Sequence, residues 1–191
     1  MRKLYFIVLL AFTYSITIHV PGDYTTIQEG IDASFEGDTV LVADGFYYEN
    51  LVLTKSIVLA SHAIYDDLTD WIIYDDIFTE KWVINNEHIK NTHIIGNQPE
   101  NEVFGSVILI TPNADTCISP EVMGFSIENG LGTLVEALDE QGMPYSARMG
   151  GGILADVSDP FIHFNGFYDN GDETLISGGG SRLTSSTEDW S

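Results

Sequence analysis

The sequence predicts an all-β fold: a coil of short parallel strands whose N-terminal mouth is closed by one short α-helix. Three observations predict it. Residues 23–60, DYTTIQEGIDASFEGDTVLVADGFYYENLVLTKSIVLA, set an amphipathic helix directly before the runs Thr39–Val42, Leu51–Leu53 and Ile57–Leu59. Those runs are separated by turns rich in Gly, Asp and Asn, and they lie too close together for helical crossovers. Finally, VMGFSIENG (122–130) and IHFNGFYDN (162–170) align without gaps, pairing Val122 with Ile162 and Ile127 with Phe167. Their offset of 40 residues reads as two coils of about 20 each.

Taken in order, the chain opens with Arg2 and Lys3, an apolar run from Leu4 to Phe12, and Thr13-Tyr14-Ser15 as a small–x–small cleavage site. This is the layout of a secretory signal over residues 1–15. The run is shorter than the roughly 20 apolar residues that a spanning helix needs. Export to the extracellular space or cell surface is therefore expected. Ile16–Val20 alternates as a first strand, with His19 a packed or edge histidine, and Pro21-Gly22-Asp23 breaks it. Thr25 or Thr26 can cap the helix through its hydroxyl, with Glu29 as capping-box partner. Ile27, Ile31 and Ala33 form its apolar stripe, which should face the first strands. A stack of strands leaves unpaired backbone and bare apolar side chains at its end, and the helix is expected to cover them.

Residues 62–92 interrupt the strand pattern. They mix Tyr65, Trp71, Tyr74, Phe78 and Trp82 with Asp66, Asp67, Asp70, Asp75, Asp76 and Glu80, and they lack two-residue alternation. That predicts a side loop, in part helical, packed on the coil. His93–Asn97 and Ser106–Ile110 return to strands, residues 131–147 form a polar loop, and Gly150–Leu154 begins another strand. Ile127, Ile162 and Phe167 should point inward. The coil is expected to span residues 16–180, with a second glycine run at Gly178–Gly180. Residues 181–191 carry too little apolar content to close a further turn, which predicts a tail or a truncated next coil.

The 29 acidic residues outnumber the 7 basic ones, for a formal charge of −22. Such a surface repels phosphate backbones and anionic lipid, which disfavours nucleic-acid and membrane-surface roles. It also makes stability depend on salt, because screening shortens the reach of each charge. Cys117 is the only cysteine, so no intrachain disulfide can form. Its neighbours in ADTCISPEV supply only acids, and it is read as a small buried apolar residue.

The segments DYTTIQEGIDA and GDTVLVADGFYYENLVL, followed by GFSIENG and GGGILADVSDPFIHFNGFYDN, resemble right-handed parallel β-helix proteins of the pectin lyase-like superfamily. The first two are similar to the start of pectin methylesterases, whose G-x-Y-x-E pattern is matched by Gly45, Tyr47 and Glu49. The resemblance implies a β-helix and a secreted, polysaccharide-related setting. It carries over no catalytic residue. The esterase segments Q-D-T-L, D-F-I-F-G and G-R-P-W are absent, and Asp159-Pro160-Phe161-Ile162 has Pro where Phe is needed.

A lyase on such a fold needs Arg or Lys as base, and Arg148 is the single candidate. A glycosidase needs two carboxylates roughly 5–10 Å apart, a spacing that 29 acids satisfy by chance. The polygalacturonase patterns N-T-D and G-H-G are absent. The acids at 66–76 could hold Ca²⁺ through carboxylate oxygens, without the D-x-D-x-D-G spacing of a dedicated loop. His62, His88, His93 and His163 show no metal-ligand spacing. Trp71, Tyr74 and Trp82 are the aromatics to inspect for stacking on sugar rings, against core packing as the plainer role. The reading is a secreted, non-catalytic β-helix module with a structural, adhesive or carbohydrate-associated role, whose partner is extracellular polysaccharide, or further coils if the chain is a fragment. The alternative is a polysaccharide lyase or carbohydrate esterase whose catalytic turns are missing or diverged. No catalytic, cofactor-binding or metal residue is assigned.

Overall fold

β-Branched and aliphatic runs of three or four residues, bounded by Gly, Asp and Asn, become strands because their side chains pack well on a pleated surface. The computed structural model describes residues 14–76, 81–96, 99, 101–114, 116–139, 141–171 and 181–183. The signal run, Phe78, Glu80, Asn97 and the second glycine run lie outside them, as does the chain beyond residue 183. In chain order the elements are β1 (Thr17–Val20), α1 (Ile27–Ala33), β2 (Thr39–Val42), β3 (Gly45–Tyr47), β4 (Leu51–Leu53) and β5 (Val58–Ser61). A 3-10 turn (His62–Tyr65), β6 (Ile72–Asp76), β7 (Lys81–Ile84), α2 (Glu87–Asn91), β8 (Thr92–Ile95), β9 (Phe104–Gly105) and β10 (Ile108–Ile110) follow. The remainder are β11 (Glu121–Met123), β12 (Ser126–Glu128), β13 (Gly132–Leu138), β14 (Pro144–Met149), β15 (Ile153–Ala155), β16 (Phe161–His163), β17 (Gly166–Tyr168) and β18 (Ser181–Leu183).

The expected all-β right-handed parallel β-helix with a single capping helix is corrected here. The described chain is mostly β, but it forms five small separate sheets of mixed kind, with two α-helices. Three sheets are parallel, in the orders β1-β2-β5-β11-β16, β18-β15-β10-β4 and β17-β12-β8-β3. Two contain antiparallel pairs, β14-β13-β9 and β6-β7. The physical reason lies in the two segments read as loops. Residues 62–92 hold the β6–β7 hairpin and α2, and residues 132–149 hold the long β13–β14 hairpin. Each hairpin satisfies its own backbone locally, so neither joins the parallel sheets.

The 40-residue alignment survives in a different sense. Val122 pairs with Ile162 and Ile127 with Phe167, in register. These strands are immediate neighbours, so 40 residues make one step and not two. The β13–β14 hairpin takes up the additional length. Ser181–Leu183, expected in a tail or a truncated next coil, is β18 and pairs with β15.

The inner faces of the three parallel sheets share one apolar core. Val40, Leu51, Leu53, Leu59, Ile94, Ile108, Ile110, Val122, Ile127 and Ile153 are fully buried in it. Phe125 is the largest side chain inside. Ile162 and Phe167 pack against this core but are only partly buried. Asparagine amides tie neighbouring strands together at the turns. Asn165 Oδ1 accepts from Phe125 N (3.0 Å) while its Nδ2 donates to Val122 O (2.9 Å). Asn170 does the same for Gly130 N (2.9 Å) and Ile127 O (2.8 Å). At Gly130 an added Cβ would lie 1.8 Å from Gly151 O, so no side chain fits there.

Helix α1 forms where the sequence reading places it and packs on β1, β2 and β4. Thr26 Oγ1 accepts from Glu29 N and the Glu29 carboxylate reaches back to Thr26 N, a complete capping box. Ile27 and Ile31 are buried against the first strands. Gly30 lets the helix come close, since a Cβ there would meet Val20 Cγ2 at 3.1 Å and Val40 Cγ1 at 3.2 Å. Side chains from the β3–β5 region hold both helix ends. Glu49 accepts from Ile27 N (2.9 Å) and Gln28 N (3.0 Å), placing a carboxylate at the positive helix end. Lys55 Nζ donates to Ile31 O, Asp32 O and Ser34 O at the other. Between them the Gln28 amide pairs with β4, accepting from Val52 N (2.8 Å) and donating to Val52 O (3.3 Å). The G-x-Y-x-E pattern is thus a docking device: the Tyr47 ring lies over Gly45, its hydroxyl donates to Ala43 O (2.9 Å), and Glu49 receives the helix.

Phe125→Ala should cost about 3–5 kcal/mol in chemical denaturation, and Phe167→Ala clearly less. A second expectation concerns base. Burial, then the charges of Glu49 and Asp44, raises the Tyr47 phenol above its ordinary value. Because the folded value lies above the unfolded one, this stability is present below pH 10 and is lost as pH rises through the folded value. Tyr47→Phe should therefore flatten the alkaline limb of the stability curve.

Candidate binding groove

The sheet of β4, β10 and β15 is apolar on both faces. Its inward positions feed the core, while Val52, Leu109 and Leu154, paired across the three strands, face outward. Main-chain bonds from Thr111 N to Leu53 O and from Asp156 N to Ile110 O (both 2.9 Å) carry the pairing one residue further. Thr54, Thr111 and Asp156 therefore stand in line beside the apolar row. The antiparallel sheet of β9, β13 and β14 rises along this face and supplies Phe104, Thr133, Leu134, Val135, Glu136 and Met149 as a wall.

Two cavities of about 600 and 640 Å³ lie between floor and wall and share Val52, Phe104 and Leu109, which makes them one groove. One end is lined by Thr26, Gln28, Tyr48, Glu49, Asn50 and Asn101, so the α1 dock forms part of it. The other carries Thr54, Thr111, Asn113, Glu136 and Asp156. Phe104 is 44 % exposed and available for contact. The described lining contains carboxylates and no Lys, Arg or His. Glu136 receives the Ser146 hydroxyl and Glu49 receives the helix amides. Asp156 stands exposed.

The residues singled out in the sequence lie elsewhere. Arg148 Nη1 donates to Glu102 O (2.9 Å) and Gly132 O (2.8 Å), so it holds the wall together. Trp71 packs edge-on against Phe164 in a satellite core with Ala63, Ile84 and Ile89. Tyr74 and Trp82 face each other across β6 and β7 with ring centroids 4.9 Å apart, both exposed. Asp66 accepts from Asn86 Nδ2 and Asp67 from the Thr69 hydroxyl and amide, which holds the Asp67 carboxyl below its ordinary value. The side chains of Asp75 and Asp76 lie outside the described ones. Among the described residues no three His, Cys, Asp or Glu gather as a metal site, and no helix is long and apolar enough to cross a membrane.

Three histidines pair singly with carboxylates: His88 with Asp44 (2.7 Å), His93 with Glu128 (2.6 Å) and His163 with Glu121 (2.9 Å). His93 also stacks on Phe46, centroids 4.5 Å apart. His19 is exposed on the edge strand β1. Cys117, expected to be buried, is exposed, because the turn before Ile118 sends only Ile118 inward. The groove residues escaped the sequence reading, yet a signal was there. Leu51–Leu53, Ile108–Ile110 and Ile153–Ala155 are apolar at every position, which marks a sheet covered on both faces.

No protein family matches the chain, and no curated protein matches it either. Arg148→Met should leave the part-buried Gly132 O unmet while the exposed Glu102 O turns to water, at a cost of roughly 1–3 kcal/mol. Amide hydrogen exchange should then speed up in β9, β13 and β14 and stay unchanged in β2 and β5.

Proposed function

We propose that the chain is an exported, non-catalytic module that holds extracellular polysaccharide in the groove over β4, β10 and β15. The observation that carries this reading is the groove itself: an extended trough with an apolar floor, an exposed aromatic ring in its wall and hydroxyl and carboxamide groups along its rims. Concave sites of this make-up bind by burying apolar surface and use a few polar groups for orientation. A non-catalytic role is favoured by the use of Arg148, the one candidate base, as a ligand for two backbone carbonyls. The exported setting rests on the layout of residues 1–15.

The mature chain should be retained on insoluble plant or microbial polysaccharide. It should release neither unsaturated products nor methanol from pectin, polygalacturonate or alginate, with or without Ca²⁺. Phe104→Ala should weaken retention about tenfold, from loss of a buried aromatic contact. Product release that disappears with Arg148→Ala would replace this reading with a lyase or esterase.

A further inference from the structure

Resting on that groove reading, we infer that its ligand is a neutral, flat, β-linked glycan lying across the strands, in preference to a uronic or amino-sugar polymer. Direction comes from the ladders. Val52, Leu109 and Leu154 belong to successive hydrogen-bonded strands, so they repeat about every 4.8 Å at right angles to strand direction. Thr54, Thr111 and Asp156 form a parallel polar row two residues on, about 6.6 Å to one side. A ribbon-like glycan has that anisotropy: ring C–H faces on the flat and hydroxyls along the edge. Laid over the apolar row, it turns its edge to the polar row, with Phe104 against its other flank.

Charge selects among glycans. The described lining holds Glu49, Glu136 and Asp156 and no basic side chain. One basic residue, Arg182 of β18, holds the register position beside Leu154 at the end of the floor row, so a row of uronate carboxylates would meet more like charge than opposite charge. A polymer with an ammonium on each sugar is not matched either. The Glu49 oxygens accept two helix amides and Glu136 accepts the Ser146 hydroxyl; both keep their charge, but of the three carboxylates only Asp156 stands in the polar row of the floor, fewer than one anion per sugar. One carboxylate beside two threonine hydroxyls suits hydroxyl donors.

The test is calorimetric titration of the mature chain with cello-, xylo- and manno-hexaose, hexagalacturonate and the glucosamine hexamer, at low and high salt. A neutral hexamer should bind with little salt dependence, and Thr111→Val, which keeps size and strand preference, should weaken it about fivefold. Tighter binding of a charged hexamer, falling steeply with salt, would overturn the neutral assignment and leave the groove reading standing. Neutral binding untouched by both Thr111→Val and Phe104→Ala would remove the glycan from this groove. Binding of no hexamer by a chain with an intact melting transition would overturn both.

Discussion

A parallel sheet ends in a strand with unpaired backbone groups, and three such sheets around one core leave an open apolar mouth as well. In this protein seven residues of helix close that mouth. Ile27 and Ile31 fill the apolar part, and the Gln28 amide takes the place of a neighbouring strand by pairing with both backbone groups of Val52. Glu49 and Lys55 grip the two helix ends from the connections on either side of β4. A helix this short is marginal alone, so its stability comes from these contacts. The dependence is mutual: without the helix the edge of β4 is bare, and without β3 to β5 the helix has no reason to persist.

The same closure shapes the groove. Gln28 and Glu49 line one end of it, so the elements that seal the core also position the first part of the outer trough. The β13–β14 hairpin makes the wall, and Arg148 fixes its spacing by bonding carbonyls on two sides. A basic residue that looked like chemistry is thereby spent on architecture. The acidic surface follows a related logic. Several carboxylates are committed to backbone amides, among them Asp38, which accepts from Ile16 N and Phe35 N, and Glu36, which accepts from Ser56 N. Part of the large negative charge is thus structural.

Local rules made the N-terminal third legible. A threonine before an apolar helix face with glutamate three residues on leaves few choices, and the cap forms as read. The gapless match of 122–130 with 162–170 revealed strand register to the residue, because neighbouring strands repeat the same inward positions. What that match could not reveal was how many strands intervene. Length alone cannot separate two short strand-to-strand connections from one connection carrying a hairpin, and the hairpin at 132–149 decided it. The aromatic-rich stretch 62–92 hid its strands because Tyr74 and Trp82 sit on an exposed two-stranded ribbon, where polar–apolar alternation is not enforced by burial. Nor could the sequence show that Val52, Leu109 and Leu154 share a floor, since that follows from pairing between strands far apart in the chain.

The central claim is that the Gln28 side chain completes the edge of β4. Residue-resolved amide exchange on Gln28→Ala tests it most directly, because the substitution suits a helix yet removes both bonds to Val52. The account predicts that protection at Val52 collapses and falls in α1 and β4, while β12 and β17 keep theirs. Unchanged protection at Val52 would contradict it, and the mouth would then be sealed by apolar packing alone.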